Sequence, residues 1–162
     1  MGSVPVSRHV PNRSVRAPSL ELAIQWQVDG SPLPRRRTLR RWILAALERP
    51  AAITLRFVGA GEGRSLNRAY RGRDCATNVL TFVYDEHVSL SGDIVLCAPV
   101  VRREAREQGK RLVAHYAHLV IHGMLHLQGY DHQRAADAAR MEARESELLV
   151  RLGHPDPWRG AS

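Results

Sequence analysis

The sequence predicts an α+β fold: a single domain with a mixed sheet of about four strands, a central buried helix that bears histidines, and flanking helices. Three observations predict it. Four short segments carry strand patterning, five others place apolar residues at helical spacing, and one of those five, 111–127, is apolar on nearly every side. A chain of 162 residues can bury about 70% of the surface it exposes when unfolded, so it needs neither disulfides nor a structural metal to build a core. It has two cysteines, Cys75 and Cys97, too few for a disulfide scaffold and expected to be reduced in a cytosol.

Residues 1–18 hold Pro5, Pro11 and Pro18 without apolar periodicity, and read as a basic, disordered arm ahead of a domain at 19–158 and a short tail at 159–162. From Leu20 to Val28 apolar and polar residues alternate with the period of a half-buried strand, which Asp29-Gly30-Ser31-Pro32 ends. Leu39, Trp42, Ile43, Ala46 and Leu47 then recur at spacings of three and four. They form the apolar face of a helix that stops before Pro50, while Arg36, Arg37, Arg40 and Arg41 occupy the other face.

A second strand is expected at 52–58 and a turn at 59–63. A short helix at 65–71 follows, with Leu66, Ala69 and Tyr70 inward. Two more strands are expected at 78–84 and 90–97, the latter interrupted at Gly92-Asp93. Pro99 opens a helix that Gly109 ends, the apolar helix 111–127 follows, and 135–152 is a last amphipathic helix. Glu145 falls on the apolar stripe of that last helix, and sequence reasoning assigns it no role.

The formal charge is +8, and the first 50 residues alone contribute nine arginines against Glu21, Asp29 and Glu48. This bias suits a polyanionic partner, although a general preference for arginine accounts for it equally well, since Lys110 is the single lysine among 24 basic residues. No run of about 18 apolar residues exists and the first 19 residues lack an apolar signal-like stretch. Membrane spanning and secretion are therefore not expected, and a cytoplasmic location is.

The chemistry is concentrated on the apolar helix. His115, His118, His122 and His126 lie three, four and four residues apart, within about 80° of one another around the axis. Four buried imidazoles are costly unless something collects them. His122 and His126, one turn apart, can both reach one ion, and a left-handed turn at Gly129 can bring His132 back toward them. His118 and His126 stand about 12 Å apart along a straight helix, so His118 and His115 take supporting or core roles. Three neutral imidazoles suit one Zn²⁺ per chain and leave a fourth position for water, hence for chemistry. A closed structural zinc would need Cys75, Cys97 or a carboxylate as fourth ligand.

The spacing of His122, His126, Gly129 and His132 equals that of the zinc proteases with an H-E-x-x-H-x-x-G-x-x-H helix, but Gly123 stands where their catalytic glutamate would be. The ligand pattern is kept and the peptidase base is absent. The run HGMLHLQGYDH, with LNRAYRGRDCATNVLTF at 66–82 and SGDIVLC at 91–97, resembles the YbeY family of bacterial endoribonucleases over about 20–158.

That resemblance implies a zinc-dependent, single-strand-specific endoribonuclease acting in ribosomal RNA maturation, notably at the 16S 3′ end, and in ribosome quality control. It implies as partners single-stranded RNA, the rRNA precursor, the small ribosomal subunit and a ribosome-assembly GTPase. It places metal ligands at His122, His126 and His132 and a catalytic, substrate-binding arginine at Arg71. Two departures from the family pattern, Cys75-Ala76 and Val83, bear on loop rigidity beside Arg71 and remove no ligand.

Phosphodiester hydrolysis concentrates charge on the non-bridging oxygens, which a guanidinium fork and a metal stabilise. Arg71 is the candidate clamp, and Arg73, with Arg36, Arg37, Arg40 and Arg41, a candidate for phosphate contacts. The general base is open among Asp131, Asp74 and Asp93. Base stacking is expected to be sparse and sequence discrimination weak, because only nine aromatic residues exist and most fall on core faces. Two alternatives stand beside this reading: a metal-dependent, protease-like hydrolase of another substrate, and a non-catalytic ribosome-assembly factor braced by a structural zinc.

Overall fold

Leu20–Gln27 (β1) pairs in parallel with Ala51–Val58 (β2), and the intervening Arg36–Ala46 (α1) makes the crossover that two parallel neighbours require. The computed structural model describes residues 18–30, 32–71, 77–87 and 89–159. β2 also pairs in parallel with Leu90–Cys97 (β4), and β4 pairs antiparallel with Val79–Asp85 (β3), so the sheet order is β1-β2-β4-β3. The remaining helices are Ala60–Arg71 (α2), Ala98–Glu107 (α3), Leu112–Leu127 (α4) and Ala135–Arg151 (α5). The result is the α+β domain with a four-stranded mixed sheet that the patterning predicts. Among the described residues, no helix is long and apolar enough to cross a membrane.

The central helix earns its place by composition. Ten of the sixteen residues of α4 are buried, and it touches α1, α3, α5, β3 and β4. Leu119, Val120, Ile121, Met124 and Leu125 join Leu39, Trp42 and Ile43 of α1 and Ile53, Leu55, Phe57, Ile94 and Leu96 of the sheet in one core. A smaller cluster on the opposite face gathers Val58, Leu80, Val95, Cys97 and Val100, with Leu66 packed against it.

Three expectations are corrected. The segment 59–63 is not a turn: α2 begins at Ala60, with Gly63 N–H bonded to the Gly59 carbonyl at 3.0 Å. Glu62 in its first turn complements the helix dipole and pairs with Arg56 of β2, which offsets the cost of the glycines. Ala69 and Tyr70 point outward rather than inward. β4 runs unbroken through Gly92: a Cβ there would lie 2.7 Å from the Phe82 carbonyl and 3.1 Å from Leu127. Glycine thus lets β3 and the end of α4 approach the strand together, and the irregularity appears instead in β3, as a register shift between Val83 and Asp85.

Candidate metal centre

His122 and His126 sit one turn apart near the C-terminal end of α4, and the chain then reverses. Gly129 has φ +99°, which allows Tyr130 N–H to bond back to the Leu125 carbonyl at 3.0 Å. The reversal is anchored to α1. Gln128 Nε2 donates to the Ala46 carbonyl at 2.8 Å, Glu48 N–H donates to Gln128 Oε1 at 2.7 Å, and the Tyr130 hydroxyl donates to Glu48 Oε1 at 2.8 Å. Asp131 Oδ1 accepts the backbone N–H groups of His132 and Gln133 at 2.7 and 3.1 Å. It therefore serves the turn from which His132 projects.

The three rings converge. Their centroids are separated by 6.4 Å (His122 to His126), 5.7 Å (His122 to His132) and 5.8 Å (His126 to His132). Together with Thr77, Asn78, Val79 and Thr81 they line one cleft of about 190 Å³. His122 Nδ1 donates to Glu145 Oε1 at 2.6 Å, and His126 Nδ1 donates to the Tyr130 carbonyl at 3.2 Å. In the neutral form of each ring this leaves the lone pair on Nε2. Burial lowers the pKa of His126, and the neighbouring His122 and His132 lower it further, so this ring is neutral near pH 7, as a metal ligand must be.

The donor set fits zinc. Imidazoles bound through Nε2 at about 2.0–2.1 Å to one ion have centroids roughly 5 Å apart. Among the described residues no three His, Cys, Asp or Glu side chains already stand at ligand spacing, so these rings would draw in by about 1 Å. Cys97 is buried in the smaller cluster, with Sγ 3.7 Å from the Gly59 carbonyl, and does not line the cleft.

A family model described as endoribonuclease YbeY matches residues 35–153. The chain belongs to the endoribonuclease YbeY family. Its relatives include proteins named endoribonuclease YbeY from Nitrosomonas europaea, 52% identical over 96% of this chain and 95% of that one, and from Aromatoleum aromaticum, 60% identical over 86% and 92%. The solution structure of a Thermotoga maritima protein is similar in fold, with a TM-score of 0.54 and 25% identity over 86% of this chain and 99% of that one.

The glycine that stands in place of the protease glutamate has a structural counterpart. A Cβ on Gly123 would lie 3.1 Å from Ile94 Cγ2 and 3.2 Å from Ile94 Cδ1, so position 123 faces the sheet and not the cleft. Gly123→Glu is expected to force a carboxylate into apolar packing, lower stability by about 3 kcal/mol or more and confer no peptidase activity. Urea denaturation and a casein digestion check both halves.

The structure also places what sequence reasoning left aside. Glu145 is 1% exposed and binds three donors: His122 Nδ1, His118 Nε2 at 2.9 Å and Trp158 Nε1 at 2.8 Å. Burial alone would raise its pKa, but the hydrogen bonds from His118 and His122 outweigh it and hold the carboxyl at about 2. His115 Nε2 lies 3.3 Å from Glu104 Oε1, and Glu104 Oε2 accepts from Asn78 of the cleft wall. Through these contacts His118 reaches His122 by way of Glu145, and His115 reaches the cleft wall by way of Glu104. A carboxylate on the apolar stripe of α5 was the available signal for Glu145, and only tertiary packing joins it to the histidines.

Arg71 is the last residue of α2; its side chain, and all of Arg73, Asp74 and Cys75, lie outside the described residues, as do 1–17 and 160–162. Asp93 accepts the Tyr84 hydroxyl at 2.7 Å on the other side of β3. The phosphate candidates on α1, Arg36, Arg37, Arg40 and Arg41, are all exposed, and Arg36 also donates to the Leu22 carbonyl at 2.7 Å.

Proposed function

We propose that this chain is a zinc-dependent endoribonuclease that hydrolyses single-stranded RNA. The observation that carries the reading is the convergence of three imidazoles on one cleft, two of them held from behind so that Nε2 faces inward. His122, His126 and His132 would hold the ion, which supplies a Lewis acid and brings the pKa of its water to about 7.

The protein's own groups do the rest. Glu145 and the Tyr130 carbonyl fix two ring orientations, and Asp131 fixes the backbone from which His132 projects. Thr77, Asn78 and Thr81 present polar side chains on the facing wall, where they can bond phosphate or ribose oxygens. Arg71 supplies the guanidinium for the charge that develops on the scissile phosphate, and Arg73 adds a phosphate contact. Family membership extends the reading to a cytoplasmic role in rRNA maturation at the 16S 3′ end and in ribosome quality control. The partners would then be the small subunit, its rRNA precursor and an assembly GTPase.

Arg71→Ala separates chemistry from metal binding. Cleavage of an unstructured RNA should fall by about 10² to 10³, the usual loss on removing one donor to developing charge, with zinc content by metal analysis unchanged. Equal activity in the variant would remove Arg71 from the mechanism.

A further inference from the structure

The sheet has a face that the histidine cleft does not use. α1 and α4 pack on one side, whereas the apolar cluster under α2 and α3 occupies only part of the other. The remainder is an open groove of about 390 Å³ lined in part by Glu21, Thr54, Tyr84, Ser91 and Asp93. Tyr84 lines this groove on its β3 side, and Phe82, two residues earlier in the same strand, meets Tyr70 of α2. Tyr70 packs edge-on against Phe82 with centroids 4.8 Å apart, and the Tyr84 hydroxyl is fixed to Asp93. Tyr70 and Tyr84 are each 67% exposed. Two rings held in place yet left facing water contribute little to the core, and they are suited to receive flat apolar surface.

The surroundings select the kind of surface. Arg64 and Arg68 are exposed on α2, but at 100° per residue they lie about 120–160° around the axis from Tyr70 and do not share its face. Exposed aromatic rings on and beside the strand that also walls the cleft match a single-stranded nucleic acid, with bases on the rings. Asp93 and Glu21 within the groove repel phosphate and can accept from exocyclic base amines. The strand β3 joins this face to the cleft, because alternate residues point to opposite sides: Val79 and Thr81 line the cleft, and Phe82 carries the Tyr70 contact.

We infer that Tyr70 and Tyr84 form a base-stacking platform for single-stranded RNA, so that a strand crossing the β3 edge is seated beside the cleft. The inference rests on the endoribonuclease reading and names two contacts that reading does not contain. It also revises the expectation of sparse stacking, while leaving weak sequence discrimination in place, because every base has a π-face.

The test uses the full-length zinc-loaded protein and a labelled 12-nucleotide RNA with 2′-O-methyl riboses, read by fluorescence anisotropy. Tyr70→Ala and Tyr84→Ala should each weaken binding roughly 5- to 100-fold, and Tyr70→Phe should bind as the parent does. On a cleavable RNA of the same length the alanine variants should raise KM with kcat and zinc content unchanged, and a dinucleotide substrate should be cut equally by all. Both alanine variants binding the 12-mer like the parent would overturn the platform, and so would a kcat loss equal on the 12-mer and the dinucleotide. A parent protein that cuts no RNA would instead overturn the endoribonuclease reading itself. Tyr70→Leu and Tyr84→Leu, which keep bulk without a ring, repeat the measurement should an alanine variant melt early.

Discussion

His126→Ala is expected to remove the zinc and abolish RNA cleavage while the fold stands. The ring is only partly buried, and its hydrogen bond within the protein runs from Nδ1 to the Tyr130 carbonyl. The packing of this turn is carried by Leu125 and Leu127, which are fully or almost fully buried. Loss of the imidazole should therefore cost about 1 kcal/mol of stability. Loss of one ligand of three leaves His122 and His132 unable to define an open tetrahedral site, and cleavage should drop by at least about 10³. The pH dependence follows the same ring. Because burial and its histidine neighbours lower its pKa from the ordinary 6.5, His126 is neutral at pH 7, and zinc is expected to be lost on the acid side as the ring protonates. Metal analysis, thermal melting and RNA digestion with and without chelator decide the matter. A His126→Ala chain that unfolds would make the zinc a brace and favour the non-catalytic assembly factor; one that cuts like the parent would end the metal reading.

The sequence made legible whatever depends on local period or on one turn of helix. The alternation of β1, the apolar face of α1 and the all-round apolar α4 are written in spacing, and the structure matches them to within one or two residues. The pairing of His122 with His126, and the return of His132 through Gly129, follow from helix geometry and from the one residue type at ease with positive φ. What spacing could not show was which distant carboxylate meets which histidine. Glu145 is 23 residues from His122 and 27 from His118, a contact made only by packing α5 on α4. The outward Tyr70 was missed for a related reason. Near the end of a short helix an aromatic residue reads as core, and only the partial cover that α2 gives to the sheet leaves it in water.

Glu145→Gln should weaken zinc binding by about 10- to 100-fold and lower stability by about 1–3 kcal/mol at neutral pH. In the parent, one carboxylate oxygen accepts His122 Nδ1–H and the other accepts both His118 Nε2–H and Trp158 Nε1–H. A glutamine has a single acceptor oxygen, so its NH₂ must face one of these sides. Facing His118 and Trp158, it opposes two donors, one of them an indole that can only donate. Facing His122, it opposes a ring that can switch tautomer, accept at Nδ1 and place its proton on Nε2. The second arrangement is the cheaper, and it takes away the lone pair that His122 directs into the cleft. Glu145→Leu goes further and leaves all three donors without a partner in a buried setting, so it should cost more stability than Glu145→Gln. The acid side supplies an independent check. The folded carboxyl sits at about 2, below its ordinary value of 4.5, so its contribution is complete above about pH 4.5 and is lost as pH falls toward 2. A difference of this size corresponds to on the order of 3 kcal/mol. Urea midpoints at pH 7, 4.5 and 3 should therefore show the gap between parent and Glu145→Gln closing on the acid side, and a gap that widens there would mean that the carboxylate is not held by its histidines.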